Sequence, residues 1–168
     1  MNEQMDIVNE QDEVIGHADK DEIHKKGLLH RAVHIFIINS QGRLFCRQRS
    51  SKKHIYPGYL STSVGAHVMS GQTYDQVAKQ SLQKDLEINC KLEMIGKARV
   101  HDQWENEISA TYIGYSDDRM KLNPEQIEGG KFLTVEEIKE LIKQKNVTPH
   151  LAHSLEIYLK HKSSRQSD

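Results

Sequence analysis

Apolar positions along this chain alternate between a spacing of two and a spacing of about 3.6, and each change of spacing marks an element. Asp6–Asn9 and Val14–Gly16 read as two short strands around the polar turn Glu10–Glu13. Asp19–Lys26 reads as a short helix, with Asp19 as N-cap, Glu22 three residues on and Gly27 as its stop. Arg31–Asn39 holds Ala-Val-His-Ile-Phe-Ile-Ile, the apolar run of a buried strand. Ser40-Gln41-Gly42 turns the chain, and Arg43–Arg49 pairs back as a hairpin. Ser50–Gly58 is a basic loop, and Leu60–Val64 a strand. Thr73 and Gln76 form a capping box that opens a helix over Thr73–Leu86, whose Tyr74, Val77, Ala78 and Leu82 share one face. Lys91–Val100 and Trp104–Tyr115 read as strands, Asp117–Lys131 as a loop, and Leu133–Gln144 and Pro149–Lys160 as helices. Strands and helices mix within one domain over residues 1–162, an α/β arrangement with a mixed sheet between helices. Ser163–Asp168 is a polar tail expected to be disordered.

Composition narrows the classes. A chain of 168 residues can bury a real core. A net charge of -1 gives no global field for nucleic acid. No apolar run is long enough to span a membrane, and the polar start Met1-Asn2-Glu3-Gln4 is unlike a secretory leader. Cys46 and Cys90 sit in apolar, strand-like surroundings and read as buried free thiols, which fits a cytoplasmic protein. Trp104 and Tyr112 read as core residues. Oligomeric state stays open between monomer and homodimer.

Three groups of residues carry candidate chemistry. Glu105 and Glu107 alternate on one strand, so their carboxylates share a face and repel unless a cation sits between them. Ten histidines are many for this length, although any single one is more often an ordinary polar residue than a ligand. Arg47, Arg49, Lys52, Lys53 and His54 crowd one hairpin arm and loop, either as a solvated basic stretch or as a phosphate grip.

The loop Gly65–Gln72 running into the helix Thr73–Leu86 resembles the Nudix box with most of its carboxylates missing. The box positions are Ala66, Gln72, Gln80, Ser81, Leu82, Lys84, Asp85 and Glu87. Met5-Asp6-Ile7-Val8-Asn9-Glu10, Leu29–Val33, Arg49–Gly58 and Glu105-Asn106-Glu107 are similar to the isopentenyl-diphosphate isomerase-like branch of that superfamily. The resemblance runs from about Asp6 to Tyr158 and implies a Nudix fold. It also implies a divalent metal, Mg or Mn with Zn as an option, held by His24, His30, His67, Glu105 and Glu107, with Asp85 beside a second metal carried by the diphosphate. His24 matches its position only after a one-residue shift. Arg49 and Lys53 match the residues that hold the substrate diphosphate.

The departures matter as much. Gly65 stands where the isomerase has its proton-donating Cys, and His150 where it has a carbocation-stabilising Trp. Ser81, Lys84 and Gln72 replace box carboxylates that hold Mg in Nudix hydrolysis. The expectation is a metal-dependent hydrolase of a small-molecule diphosphate, nucleotide-like or prenyl-like. It would work through the His/Glu site, with Glu107 or Glu105 as base and a water on the metal as nucleophile. The alternatives are an isomerase-like protein without the usual Cys, or a non-catalytic module that binds a diphosphate or metabolite.

Overall fold

The computed structural model describes residues 3–166. β1 (Gln4–Val8) and β2 (Val14–Asp19) form an antiparallel hairpin apart from the main sheet. α1 (Lys20–Lys26) follows and ends at Gly27, whose φ of 63° is left-handed and costs glycine little. The main sheet comprises β3 (His30–Ile38), β4 (Leu44–Arg49), β5 (Leu60–Ser61), β6 (Val64–His67), β7 (Leu92–His101), β8 (Asn106–Tyr115) and β9 (Ile127–Leu133). Its order is β5-β4-β3-β8-β7, with β6 also on β3 and β9 on β4. α2 (Tyr74–Leu86), α3 (Val135–Lys143) and α4 (Pro149–Gln166) complete the described fold.

Strand β3 organises the core because its alternate residues face opposite layers. Val33, Ile35 and Ile37 pack with Val77, Ala78, Leu82 and Leu86 of α2. Phe36 and Ile38 pack with Ile138 of α3 and Leu151, Leu155 and Tyr158 of α4. Parallel pairing sets His30 opposite Glu107 and His34 opposite Thr111. The β3–β4 hairpin pairs at Ile38 and Leu44 and then parts. Ser63 sits in the parting: its Oγ accepts from Ile37 N at 2.8 Å and donates to Phe45 O at 2.5 Å. The resulting wedge is polar on the inside, with His34 on one arm and Arg47 and Arg49 on the other.

Several boundaries differ from the sequence expectation, each for a physical reason. Leu60–Val64 is two strands, because Thr62 and Ser63 spend their hydroxyls on crossing contacts. β9 lies within the segment expected to be a loop. Its Gly129-Gly130 has no β-propensity, but a Cβ at Gly130 would lie 2.4 Å from Phe45 Cζ, so the close strand approach requires glycine. Leu133 therefore ends a strand, and Thr134 caps α3 by accepting from Glu137 N. The expected tail is helical through Gln166, tied by Arg165 Nη2 to Glu93 Oε1 at 2.8 Å; residues 167–168 lie outside the described part. Trp104 is not in the core: it sits in the β7–β8 turn, 47% exposed, whereas Tyr112 is buried as expected. Cys46 is buried, but Cys90 only half so; both are free.

Candidate functional site

The Glu105–Glu107 segment lies where the β7–β8 turn enters the sheet. Asp102 Oδ1 accepts from the backbone N–H of Trp104 (2.7 Å) and Glu105 (2.8 Å), which fixes the turn. Three histidines converge on it from separate elements: His24 from α1, His30 from β3 and His67 from the end of β6. His24 Nε2 is 3.2 Å and His30 Nε2 3.4 Å from Glu105 Oε2, and His67 Nε2 is 3.6 Å from Glu105 Oε1. Glu107 Oε2 lies 3.6 Å from His30 Nε2 and 3.8 Å from His67 Nε2. The N-terminal hairpin steadies the His67 loop: Ser70 Oγ donates to Asp6 Oδ1 at 2.7 Å, and Ser70 N to Gln4 O at 2.9 Å.

The donor set fits a divalent cation. His24 Nδ1 donates to Lys20 O and His30 Nδ1 to Leu28 O, both at 2.9 Å, which leaves each Nε2 as the ligand atom. His30 Nε2 and Glu107 Oε1 are buried without a hydrogen-bond partner among the described residues. Such orphaned atoms are costly unless something else satisfies them. Burial works against the Glu105 carboxylate, but the neighbouring imidazoles of His24, His30 and His67 outweigh it and hold the group below the usual carboxylate range. The hydrogen bond to Glu105 raises the His24 pKa, whereas burial lowers that of His67 against the pull of Glu105. Histidine nitrogen with carboxylate oxygen suits Mn or Zn better than Mg, which favours oxygen and water.

A cavity of about 360 Å³ opens beside this centre. Arg49 and Lys53 line it, as do Arg47, Lys20 and Lys84. Arg49 is braced by donating to Ile55 O (2.8 Å) and Tyr56 O (3.2 Å), and Lys53 Nζ by donating to Gln126 Oε1 (2.7 Å). Burial lowers the pKa of both, the mark of cations held out of water before any anion arrives. The α2 face reads differently from a metal-binding helix. Gln72 Nε2 donates to Gln80 Oε1 at 3.1 Å, and Ser81 Oγ to Ala78 O at 3.2 Å. Asp85 borders the cavity but stands apart from the His/Glu cluster, accepting from Asn123 Nδ2 at 3.1 Å.

Two further histidines join the site: His34, which sequence reasoning did not assign to it, and His150, which it placed only at the position of the isomerase Trp. His34 and His150 stack with ring centres 4.5 Å apart, and His150 Nε2 lies 2.7 Å from Glu107 Oε1. His34 was legible only as the one polar residue inside the apolar run of β3, two positions from a residue on the same face as His30. A Cβ at Gly65 would lie 2.7 Å from His34 Cε1 and 3.0 Å from Arg47 Nη2. Thus His34 and Arg47 occupy the space into which a side chain at position 65 would project.

Residues 28–155 match the family model of the NUDIX domain, and the chain belongs to that family. A Nudix hydrolase of Deinococcus radiodurans is 31% identical over 139 residues, covering 81% of each chain. An isopentenyl-diphosphate Delta-isomerase of Pectobacterium atrosepticum is 29% identical over 139 residues, 80% of this chain and 78% of that protein. A crystal structure from Deinococcus radiodurans matches with a TM-score of 0.77 at 26% identity, covering 92% of this chain and 98% of that one. The expected Nudix fold and its likeness to the isomerase branch are borne out. No described helix is long and apolar enough to cross a membrane.

Proposed function

We propose that this protein is a metal-dependent hydrolase of a diphosphate-containing small molecule, working from the His/Glu centre rather than from the box helix. The observation that carries the reading is a single cavity bordered on one side by His67, Glu105 and Glu107 and on another by Arg47, Arg49 and Lys53. His24, His30, His67 and Glu105 would hold the cation, with Glu107 Oε2 beside them. A divalent cation there would polarise a phosphoryl oxygen and ease deprotonation of water. Arg49 and Lys53 would grip the diphosphate, Arg as a planar fork and Lys as a point charge. Water adds to one phosphorus, the bridging P–O bond breaks, and the second phosphoryl group leaves with the electron pair. Its charge develops among fixed cations, where it is best stabilised. Glu107 is the pivotal carboxylate. Its Oε2 turns to His30 and His67, and its buried Oε1 turns to His150 Nε2, 2.7 Å away.

Isomerase chemistry fits less well, because the room for a side chain at position 65 is taken by His34 and Arg47. The non-catalytic alternative would keep the cation and the anion grip without turnover. The test is phosphate release from nucleoside di- and triphosphates, nucleotide sugars, dinucleoside polyphosphates and prenyl diphosphates, with Mg and with Mn. Wild-type protein should release phosphate from one class, and Glu107→Gln should lose at least 100-fold of it, on the order expected for a positioned acid–base or ligand group. No release from folded, metal-loaded wild type would overturn hydrolysis and leave the binding module standing.

A further inference from the structure

His34, His150 and Glu107 Oε1 form a second group of buried donors whose ligand atoms all lie within 4.8 Å of one another, distinct from the His24, His30, His67 and Glu105 group. We infer that Glu107 bridges two cation sites: Oε2 toward the His24/His30/His67/Glu105 centre and Oε1 toward a second site completed by His34 and His150. The inference deepens the proposed hydrolytic site and rests on the first centre holding a metal.

Four observations carry it. The first is the divided carboxylate: Oε2 lies 3.6 Å and 3.8 Å from His30 and His67, while Oε1 lies 2.7 Å and 3.9 Å from His150 and His34. Secondly, Oε1 has no hydrogen bond, although His150 Nε2 is within 2.7 Å. A protonated His150 pairs with this oxygen, and a neutral one leaves both atoms spaced to share a single cation with His34.

The tautomer of His34 is the third. Thr62 Oγ1 donates its proton to Val64 O at 3.0 Å, so it must accept from His34 Nδ1 at 2.7 Å. Nδ1 therefore carries the proton and Nε2 the lone pair, on the side facing Glu107. Arg47 is tied to the same residue that anchors His34, its Nη1 donating to Thr62 O at 2.9 Å.

The fourth is access. His34, His150 and Glu107 all line the cavity, whereas His24 and His30 do not. The first centre collects four or five protein donors and the second three, so a cation at the second would have more positions left for a substrate oxygen or water from the cavity. Two cations so placed would ease deprotonation of a water between them, so Glu107 Oε1 would serve as a ligand rather than as the base.

The test is metal stoichiometry. Full-length protein is stripped with a chelator, reloaded with Mn, desalted and measured by elemental analysis, with folding checked by circular dichroism. Two Mn per chain are expected for the wild type, and one for folded His34→Gln and His150→Gln. Electron paramagnetic resonance gives a second readout: spin-coupled Mn pairs in the wild type, replaced by an isolated six-line signal in either variant. One Mn per chain in the wild type, or two retained in both variants, overturns the bridge. Should a variant fail to fold, the wild-type stoichiometry and spin coupling decide alone. Two coupled Mn without phosphate release would sink the hydrolase and spare the bridge; release with one Mn would do the reverse.

Discussion

At the scale of single residues, Gly65 makes the sharpest statement about this site. The position has no room for a Cβ unless His34 or Arg47 moves, and both are held by bonds to Thr62. Gly65→Ala is therefore expected to cost about 1–3 kcal/mol as an overpacking substitution, read as a lowered thermal midpoint. A midpoint equal to wild type would show that the His34–Arg47 packing yields freely. The sequence grouped His24, His30, His67, Glu105 and Glu107, because residues of matching type recur at matching positions, and the fold brings the five side chains together. It could not foretell that Glu107 turns its two oxygens to different neighbours, since that depends on where α4 places His150. Trp104 misled for a related reason: an aromatic beside a strand reads as core, but it lies in the β7–β8 turn, with Glu105 between it and β8.

At the scale of elements, α2 keeps the Nudix helix while its surface has changed sign. Its capping box is intact, with Gln76 N donating to Thr73 Oγ1 at 3.2 Å and Thr73 N to Gln76 Oε1 at 3.0 Å. Of the positions that bear acids in the box, three now hold Gln72, a back-bonded Ser81 and Lys84, and Asp85 keeps the fourth. A helix so altered suits an anion better than a cation. Lys84→Glu should weaken binding of inorganic pyrophosphate several-fold by calorimetry and leave stability within about 0.5 kcal/mol, as for other surface changes. Unaltered affinity would place Lys84 outside the anion's reach. Helices were the more legible elements, since caps and 3.6-residue spacing are local. β9 was hidden because its two glycines are explained only by the Phe45 ring across the strand pair, a contact between segments far apart in the chain.

At the scale of the whole molecule, Asp12 is a junction. It sits in the β1–β2 turn at a left-handed φ of 62°, which Asp tolerates. From there it reaches Arg31 of β3 at 2.6 Å, Lys97 of β7 at 2.7 Å and Tyr74 of α2 at 3.0 Å. Burial opposes its charge, but the bonds from Lys97, Arg31 and Tyr74 prevail and depress its pKa below 3.8. A depressed carboxyl lends stability that is complete above the unfolded value and lost as pH falls through the folded one. Wild type should thus lose stability below about pH 4, and Asp12→Asn, which keeps the backbone conformation, should be less stable at pH 7 with a flatter acid limb. Equal pH profiles in denaturant melts would remove Asp12 from this role. The mixed sheet between helices was legible as a class; the parting of β3 from β4 was not, because it depends on the distant segment Leu60–His67 pairing with both strands, β5 with β4 and β6 with β3.

The parallel register of β3 and β8 has a consequence in time as well as in space. His30 and Glu107 face each other only while those two strands are paired. An ion held between them must escape before the centre of the sheet can separate, so ion release becomes a step on the route to global opening. With an ion bound there, the lifetime of the folded chain among proteases would be set partly by how fast that ion leaves, and metal supply in its surroundings would control how long each copy persists.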